Sequence, residues 1–128
     1  VLDTVKNKDT QIAILDASAA CHMPDVIEMP YLPPVLGAEA ADCAYSRAWR
    51  LAGPTCLAGD VIGDYRFPEK IIAGERLLFG DMAIYTTCKN NTFNGMPLPA
   101  IWVYREDGTC EELVHFGYED FKARLGRI

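Results

Sequence analysis

Short apolar runs separated by glycine, proline and polar residues recur along the chain, and they predict strands. Runs of about four to eight residues that are rich in β-branched and aromatic side chains are typical of sheets. Such runs occupy residues 11–16, 46–52, 60–67, 99–104 and 111–116. A longer run at residues 76–88 predicts one strand, or two strands that break near its glycine.

Turn signals connect several of these runs. Asp107 and Gly108 stand between the last two runs and predict a hairpin, because this dipeptide readily adopts the positive φ angles of tight turns. Asn94 and Gly95 form a similar pair. Residues 4–10 are polar and the first apolar run follows at once, so we expect the chain to continue a larger protein.

Helix signals are few. Tyr118, Phe121 and Leu125 recur at helical spacing and a glycine follows them, so residues 118–125 are predicted to form a helix. Residues 23–28 allow one short helical turn between two prolines. Many short strands with frequent turns predict a mainly β fold, a barrel or sandwich with short helices. The 128 residues allow one domain, residues 1–128, with a modest core.

Charge and cysteine content narrow the class of protein. The net charge of −6 disfavours nucleic-acid binding, and no apolar run approaches the roughly 18 residues that cross a bilayer. The five cysteines are odd in number and none forms a C-x-x-C pair, so neither a zinc site nor a disulfide framework is predicted. Free thiols predict a reducing, cytoplasmic environment.

The segment GPTCLAGDVIGDY, residues 53–65, is the densest in candidate chemistry. Glycine and proline fix a specific loop shape between two strands, which suits the presentation of a side chain. Cys56 is a candidate nucleophile or proton donor, and Asp60 and Asp64 are candidate cation ligands. The alternatives are a buried small hydrophobic residue for Cys56 and solvated or capping carboxylates for the aspartates.

The segment DMAIYTTCKNNTFNG, residues 81–95, contains two aromatic candidates. Tyr85 is predicted to lie mid-strand, where its hydroxyl would bond a phosphate or carboxylate, or else to be a half-buried β tyrosine. Phe93 is predicted to be presented by a turn at residues 92–95, which is otherwise an ordinary hairpin turn.

The segment DASAACHMPDVIEMPY, residues 16–31, begins at Asp16, where a strand is predicted to end. His22, Asp25 and Glu28 lie close together in sequence, but a further well-placed nitrogen or sulfur ligand is missing. We therefore expect no metal site, and we expect His22 to be satisfied by local hydrogen bonds.

These three segments and the terminal YEDFKARL resemble, in order, the C-terminal domain of pyridoxal-phosphate decarboxylases of the alanine-racemase-like fold. That group includes ornithine, diaminopimelate and carboxynorspermidine decarboxylases, and the segments look most like the carboxynorspermidine type. The resemblance covers residues 12–125. It implies a two-domain homodimer in which an N-terminal (β/α)8 barrel, absent from this chain, carries the Schiff-base lysine. Active sites of this family lie at the dimer interface.

The resemblance also implies roles for individual residues. Cys56 matches the proton donor, Tyr85 matches the tyrosine that bonds the cofactor phosphate, and Asp60 matches a residue that binds the distal amine of the substrate. Phe93 matches an aromatic near the substrate, and Asp16 matches an aspartate that faces the substrate amine. The resemblance implies that the cofactor is pyridoxal phosphate.

Leu57 departs from the diaminopimelate and ornithine types, which carry Glu and Asp directly after the loop cysteine. An apolar residue suits a polyamine chain with more methylene surface. The implied reaction converts carboxynorspermidine, or carboxyspermidine, to norspermidine or spermidine. The alternatives are a non-catalytic regulatory or binding module, a diaminopimelate or ornithine decarboxylase, and, least supported, a cysteine hydrolase.

The lysines of this chain are all predicted to lie at the surface: Lys6, Lys8, Lys70, Lys89 and Lys122. None stands in the context of a barrel strand. We therefore expect the 128-residue chain alone neither to bind pyridoxal phosphate covalently nor to decarboxylate a substrate.

Overall fold

The computed structural model describes residues 1–29, 31–41 and 47–126. Within these ranges the strands are β1 (Asp3–Asn7), β2 (Thr10–Ile14), β3 (Glu39–Ala40), β4 (Ala48–Ala52), β5 (Val61–Arg66), β6 (Ile101–Tyr104) and β7 (Cys110–Val114). The helices in the same ranges are α1 (Ala19–His22), α2 (Asp25–Glu28), α3 (Tyr85–Lys89) and α4 (Tyr118–Arg124), with a 3-10 turn at Phe93–Gly95. The predicted mainly β class with short helices is confirmed.

Five strands form one sheet in the order β1-β2-β4-β5-β3, and β6 pairs with β7 separately. Neighbours in the large sheet are antiparallel except β2 and β4, which are parallel with Ile12 opposite Arg50. The carboxyl ends of parallel strands meet at the same edge of a sheet. The segments that follow β2 and β4 therefore emerge side by side, and this edge is where the candidate site is built.

The core lies between the central strands and the segments that cross them. The buried apolar side chains that pack together include Ala13, Leu15, Trp49, Leu51, Ile62, Tyr65 and Ile71. The hydroxyl of Tyr65 donates to the carbonyl oxygen of Pro33 at 2.7 Å, which satisfies its polar end inside the core. Burial raises the pKa of Tyr65 above its ordinary value. Each such large side chain contributes about 1.5–3 kcal/mol when it is removed from water.

Three predicted elements are confirmed with small shifts at their ends. The runs at 11–16 and 60–67 form β2 and β5, and the run at 46–52 forms β4, although Ser46 lies outside the described residues. The hairpin is also confirmed: β6 and β7 pair across a turn in which Gly108 has φ +83°.

The C-terminal helix is confirmed as α4. It begins where the amide of Gly117 donates to the Asp120 carboxylate at 2.7 Å, and Gly126, at φ +100°, follows its end. The short turn predicted at 23–28 contains α2. Along the described part of the chain, no helix is long and apolar enough to cross a membrane.

The strand predicted at residues 76–88 is wrong. Val35 and Phe79 form an isolated bridge, but the neighbouring Pro34 lacks the N–H that a continuing ladder requires. Gly80 packs against Pro34, where an added Cβ would lie 3.0 Å from the proline Cγ. Asp81 then turns the chain with φ +55°, and residues 85–89 form α3 instead of a strand.

Candidate active site

Cys56 lies in the loop between β4 and β5, and its side chain is exposed. Main-chain hydrogen bonds close the base of this loop. The amide of Gly53 donates to the carbonyl oxygen of Asp60 at 2.8 Å. The amide of Asp60 donates to the carbonyl oxygen of Leu57 at 3.0 Å. The loop is therefore a compact turn at the end of a strand, as the glycine and proline content predicts.

The carboxylate of Asp60 holds this loop from inside. Asp60 is 3% exposed, and its Oδ2 accepts from the Thr55 hydroxyl at 2.6 Å and from the Thr55 amide at 3.2 Å. Its Oδ1 accepts from the Ser18 hydroxyl at 2.9 Å and from the Ala20 amide at 3.2 Å. The carboxylate thus joins the Cys56 loop to the segment that follows β2.

Two opposing effects act on the ionisation of Asp60. Burial disfavours the charged form, but the hydrogen bonds from Thr55, Ala20 and Ser18 outweigh it and lower the pKa of Asp60. The Asp60 carboxylate faces the protein interior, and its hydrogen bonds show that it stabilises the Cys56 loop. Binding of the substrate's distal amine by Asp60 has no support from these contacts and stays a prediction.

Gly53 is required by the close approach of this carboxylate. A Cβ atom on Gly53 would lie 2.2 Å from Oδ2 of Asp60 and 2.6 Å from its Cγ. Both distances are far below van der Waals contact, so any larger residue would displace the carboxylate or the loop. This is one physical reason for a glycine directly after β4.

Helix α1 connects the Cys56 loop to the rest of the site. The Ser18 hydroxyl accepts from the amide of Cys21 at 3.1 Å, which caps α1 in the usual way. The Ser18 amide donates to Nδ1 of His22 at 3.0 Å, so Nε2 carries the proton and donates to the Pro97 carbonyl oxygen at 2.9 Å. The predicted local hydrogen bond is confirmed for Nδ1 of His22, whereas the partner of Nε2 lies 75 positions further along the chain.

The turn that carries Phe93 is anchored to the same helix. The Asn91 amide donates to the carbonyl oxygen of Cys21 at 3.0 Å, and its side-chain nitrogen donates to that of Ala20 at 2.7 Å. Cys21 is buried, burial raises its pKa, and its thiol donates to the carbonyl oxygen of Phe93 at 3.4 Å. Phe93 remains 45% exposed, so the predicted presentation of an aromatic residue by a turn is confirmed.

One hydrogen bond joins the two presenting segments directly. The backbone amide of Cys56 donates to Oδ1 of Asn94 at 3.1 Å. The structure therefore brings together the Cys56 loop and the Phe93 turn, which lie far apart in sequence. The sequence analysis missed the parts played by Asn94, Ser18 and Thr55. A serine before a helical turn and an Asn-Gly pair were the available signals.

Asp16 and Tyr85 lie in other parts of this surface. Asp16 is exposed two residues beyond β2 and lines a cavity with His22 and Pro97. Tyr85 was predicted to lie mid-strand, which is wrong: it is the first residue of α3 and is 71% exposed. The neighbouring Thr86 is buried instead, because a helical turn sends adjacent side chains in different directions.

The acidic side chains that were considered as cation or metal ligands, Asp25, Glu28 and Asp64, form ion pairs with basic side chains of the same chain. Nζ of Lys89 lies 2.5 Å from Oδ1 of Asp25 and 2.8 Å from Oε2 of Glu28. Asp64 accepts two hydrogen bonds from the Arg50 guanidinium, both at 2.8 Å. Within the described ranges, no group of three or more histidine, cysteine or acidic residues is arranged to hold a metal ion.

The family is shown by a match over residues 1–83 to the pyridoxal-dependent decarboxylases, in their C-terminal sheet domain. The chain belongs to this family. It is 45% identical, over 98% of its length, to carboxyaminopropylagmatine decarboxylase of Synechocystis, and covers 32% of that protein. It is 40% identical over 97% of its length to carboxynorspermidine/carboxyspermidine decarboxylase of Campylobacter jejuni, and covers 35% of that protein. The chain thus spans about a third of the length of these decarboxylases.

Solved structures of the decarboxylase family share the fold. The crystal structure of carboxynorspermidine decarboxylase from Campylobacter jejuni, complexed with norspermidine, superposes with a TM-score of 0.88 at 40% identity. That comparison covers 97% of this chain and 36% of the other. A diaminopimelate decarboxylase from M. jannaschi superposes with a TM-score of 0.76 over the whole chain and 29% of its own, and at 16% identity it shows the fold alone.

The described residues of this domain are suited to a noncovalent contact with the pyridoxal phosphate of the family, and not to a covalent bond with it. The exposed side chain of Tyr85 ends in a phenol, which is a hydrogen-bond donor suited to a phosphate oxygen. The lysines are exposed as predicted, and the hydrogen bonds from Lys89 to Asp25 and Glu28 raise the pKa of Lys89. A charged ammonium is a poor nucleophile toward a carbonyl group, so Lys89 does not fit a Schiff-base role.

Proposed function

We propose that the complete protein decarboxylates a carboxylated polyamine, carboxynorspermidine or carboxyspermidine, and that this domain supplies Cys56 as the proton donor. The observation that carries this proposal is the exposed Cys56 thiol on a loop held at several backbone positions. The identity of 40% to a carboxynorspermidine/carboxyspermidine decarboxylase over almost the whole chain supports the substrate class.

The chemistry explains the need for a positioned thiol. Pyridoxal phosphate, when bound, supplies an electron sink for the charge left by the departing CO2. The substrate carbon must then receive a proton. A thiol can give up and regain a proton near neutral pH, and Cys56 is exposed on the surface that a bound substrate would approach. In this proposal the hydroxyl of Tyr85 bonds the cofactor phosphate.

Three other residues would contact the substrate. Leu57 follows Cys56 and is 42% exposed, which gives an apolar surface for methylene groups. Phe93 would border the same space, since its turn is hydrogen-bonded to the Cys56 loop. Asp16, exposed beyond β2, would face a substrate ammonium.

We further propose a homodimer in which each site is completed by the neighbouring subunit and by a (β/α)8 barrel domain that carries the lysine. Large apolar side chains exposed on this domain would be covered by those parts, among them Ile84, Trp102 and Tyr104. We place the protein in the cytoplasm, because the free thiols of Cys56, Cys88 and Cys110 are exposed and would oxidise elsewhere. Cys43 lies outside the described residues.

A second candidate substrate is carboxyaminopropylagmatine. The 45% identity to a decarboxylase of that name favours it. The two substrate classes differ at the distal group, since the agmatine moiety ends in a guanidinium and the polyamine ends in an ammonium. A planar guanidinium prefers a bidentate carboxylate, whereas an ammonium does not.

The test uses the complete protein with each of the three substrates, and measures released CO2 and the amine product. We expect kcat/KM to be highest for carboxynorspermidine or carboxyspermidine, whereas a highest value for carboxyaminopropylagmatine would favour the second candidate. We expect Cys56→Ala to lower kcat by about 10²–10⁴-fold, the usual contribution of a positioned proton donor. Cys88→Ala is the matched control, because Cys88 is also an exposed thiol and lies in α3. Full turnover by Cys56→Ala would remove Cys56 from the mechanism, and no turnover of any of the three would refute the substrate class.

A further inference from the structure

Asn94 combines an unusual backbone conformation with a contact to Cys56. Its φ and ψ angles are 59° and 15°, in the left-handed region that non-glycine residues seldom occupy. Gly95, which follows, has φ +75°. The Met96 amide donates to the Phe93 carbonyl oxygen at 3.1 Å, which closes a tight turn with positive φ at both central residues.

The turn does not depend on the side chain of Asn94. The Phe93 amide donates to Oδ1 of Asn91 at 3.0 Å, and the Gly95 amide donates to the carbonyl oxygen of Thr92 at 2.9 Å. The Cys21 thiol fixes the carbonyl group of Phe93. Glycine would adopt the same backbone conformation with less strain. What asparagine adds is an acceptor oxygen, and that oxygen accepts from the Cys56 amide.

The Cys56 loop is held by side chains at two consecutive backbone amides. The Thr55 amide donates to Oδ2 of Asp60, and the Cys56 amide donates to Oδ1 of Asn94. Asp60 belongs to the loop's own base, whereas Asn94 comes from a separate segment that lies 38 positions further along the chain. The direction of the Cys56 Cα–Cβ bond therefore depends on the Phe93 turn.

We propose that Asn94 is a positioning residue, which holds the backbone of Cys56 and so sets the direction of its thiol. The consequence for catalysis rests on the proposed function of Cys56, but the consequence for the thiol itself does not. A net hydrogen bond of ordinary strength corresponds to about a five-fold change in the population of the held conformation.

The experiment compares Asn94→Gly and Asn94→Asp in the complete protein. Asn94→Gly keeps the left-handed turn and removes the acceptor, whereas Asn94→Asp keeps an acceptor oxygen and tolerates the same φ. Alkylation of each cysteine by iodoacetamide is followed by mass spectrometry without substrate. Cys88 and Cys110 are internal controls, since both are exposed and belong to other elements.

We expect Asn94→Gly to raise the alkylation rate of Cys56 about five-fold and to leave Cys88 and Cys110 unchanged. We expect kcat to fall by a similar factor with little change in KM, and Asn94→Asp to restore both quantities. Unchanged alkylation of Cys56 in Asn94→Gly overturns the proposal, and so does an Asn94→Asp variant that behaves like Asn94→Gly. If alkylation changes while Cys56→Ala retains full turnover, positioning by Asn94 stands and the proposed role of Cys56 fails.

Discussion

The hydroxyl of Ser18 lies 2.9 Å and 3.0 Å from the two carboxylate oxygens of Asp60. The same hydroxyl accepts from the amide of Cys21 at the start of α1. One buried serine therefore caps a helix and bonds the carboxylate that holds the Cys56 loop. Stability and the geometry of the Cys56 loop are therefore coupled at this point.

Replacing Asp60 with asparagine should destabilise the chain. The buried carboxylate accepts hydrogen bonds from Ser18, Ala20 and Thr55, and an amide NH2 group would face donors instead of accepting from them. We expect the free energy of unfolding to fall by about 2–3 kcal/mol in urea titrations. Asp9→Asn is the control, because Asp9 is exposed in the turn between β1 and β2. Equal effects of the two variants would contradict the structural role of Asp60.

The pH dependence of stability should report the same carboxylate. The pKa of Asp60 is lowered in the folded chain, so its contribution is complete above the unfolded pKa of about 3.9 and is lost as the pH falls through the folded value. We expect Asp60→Asn to lose more stability at pH 7 than at pH 3. Urea midpoints for both proteins at the two pH values measure this. A constant difference between them would show that ionisation of Asp60 is not involved.

Gly53→Ala should disturb the Cys56 loop, whereas Gly59→Ala should not. A Cβ at Gly53 meets the Asp60 carboxylate at 2.2 Å, while a Cβ at Gly59 meets nothing within 4 Å. We expect a loss of about 1–3 kcal/mol for Gly53→Ala, as for other overpacked sites, and an altered alkylation rate of Cys56. Differential scanning calorimetry and thiol alkylation provide the measurements. Similar results for the two glycines would argue against the packing described.

Tyr85→Phe should weaken cofactor binding by the complete protein. If the Tyr85 hydroxyl bonds the phosphate, its removal should raise the Kd for pyridoxal phosphate about ten-fold, the usual effect of losing a hydrogen bond to a charged group. Absorbance titration of the apoprotein measures this directly. Tyr118→Phe serves as the control, since Tyr118 is similarly exposed but lies in α4. An unchanged Kd would remove Tyr85 from the phosphate site.

Local patterns were sufficient for the central strands and the hairpin. The apolar runs of β2, β4 and β5 are buried on the sheet, and Gly108 adopts the positive φ that its turn requires. They were not sufficient for β1, whose residues are mostly exposed and polar. That strand is held by backbone pairing to β2, with Asp3 opposite Ile14, and pairing leaves no hydrophobic signal in the sequence.

The site was predictable as a set of segments and less so as a set of contacts. Cys56 and Phe93 were found because each lies in a distinctive loop. The inward orientation of Asp60 depends on Ser18, 42 positions earlier, and on Ala20, 40 positions earlier. No local pattern in the sequence carries that information. Tyr85 was assigned to a strand because its apolar neighbours fit one, whereas the ladder stops at the Val35–Phe79 bridge beside Pro34, and Asp81 turns the chain with φ +55° before Tyr85.

The parallel pairing of β2 with β4 has a consequence for the order of folding. This pairing brings together residues that are distant in the chain, and such contacts form slowly because loop closure precedes any gain from them. The Cys56 loop gains its Asp60 anchor once β5 begins, but its bond to Asn94 must wait until the Phe93 turn has left the ribosome. A nascent chain therefore completes the surroundings of the Cys56 thiol only after the segment that carries Asn94 has been synthesised.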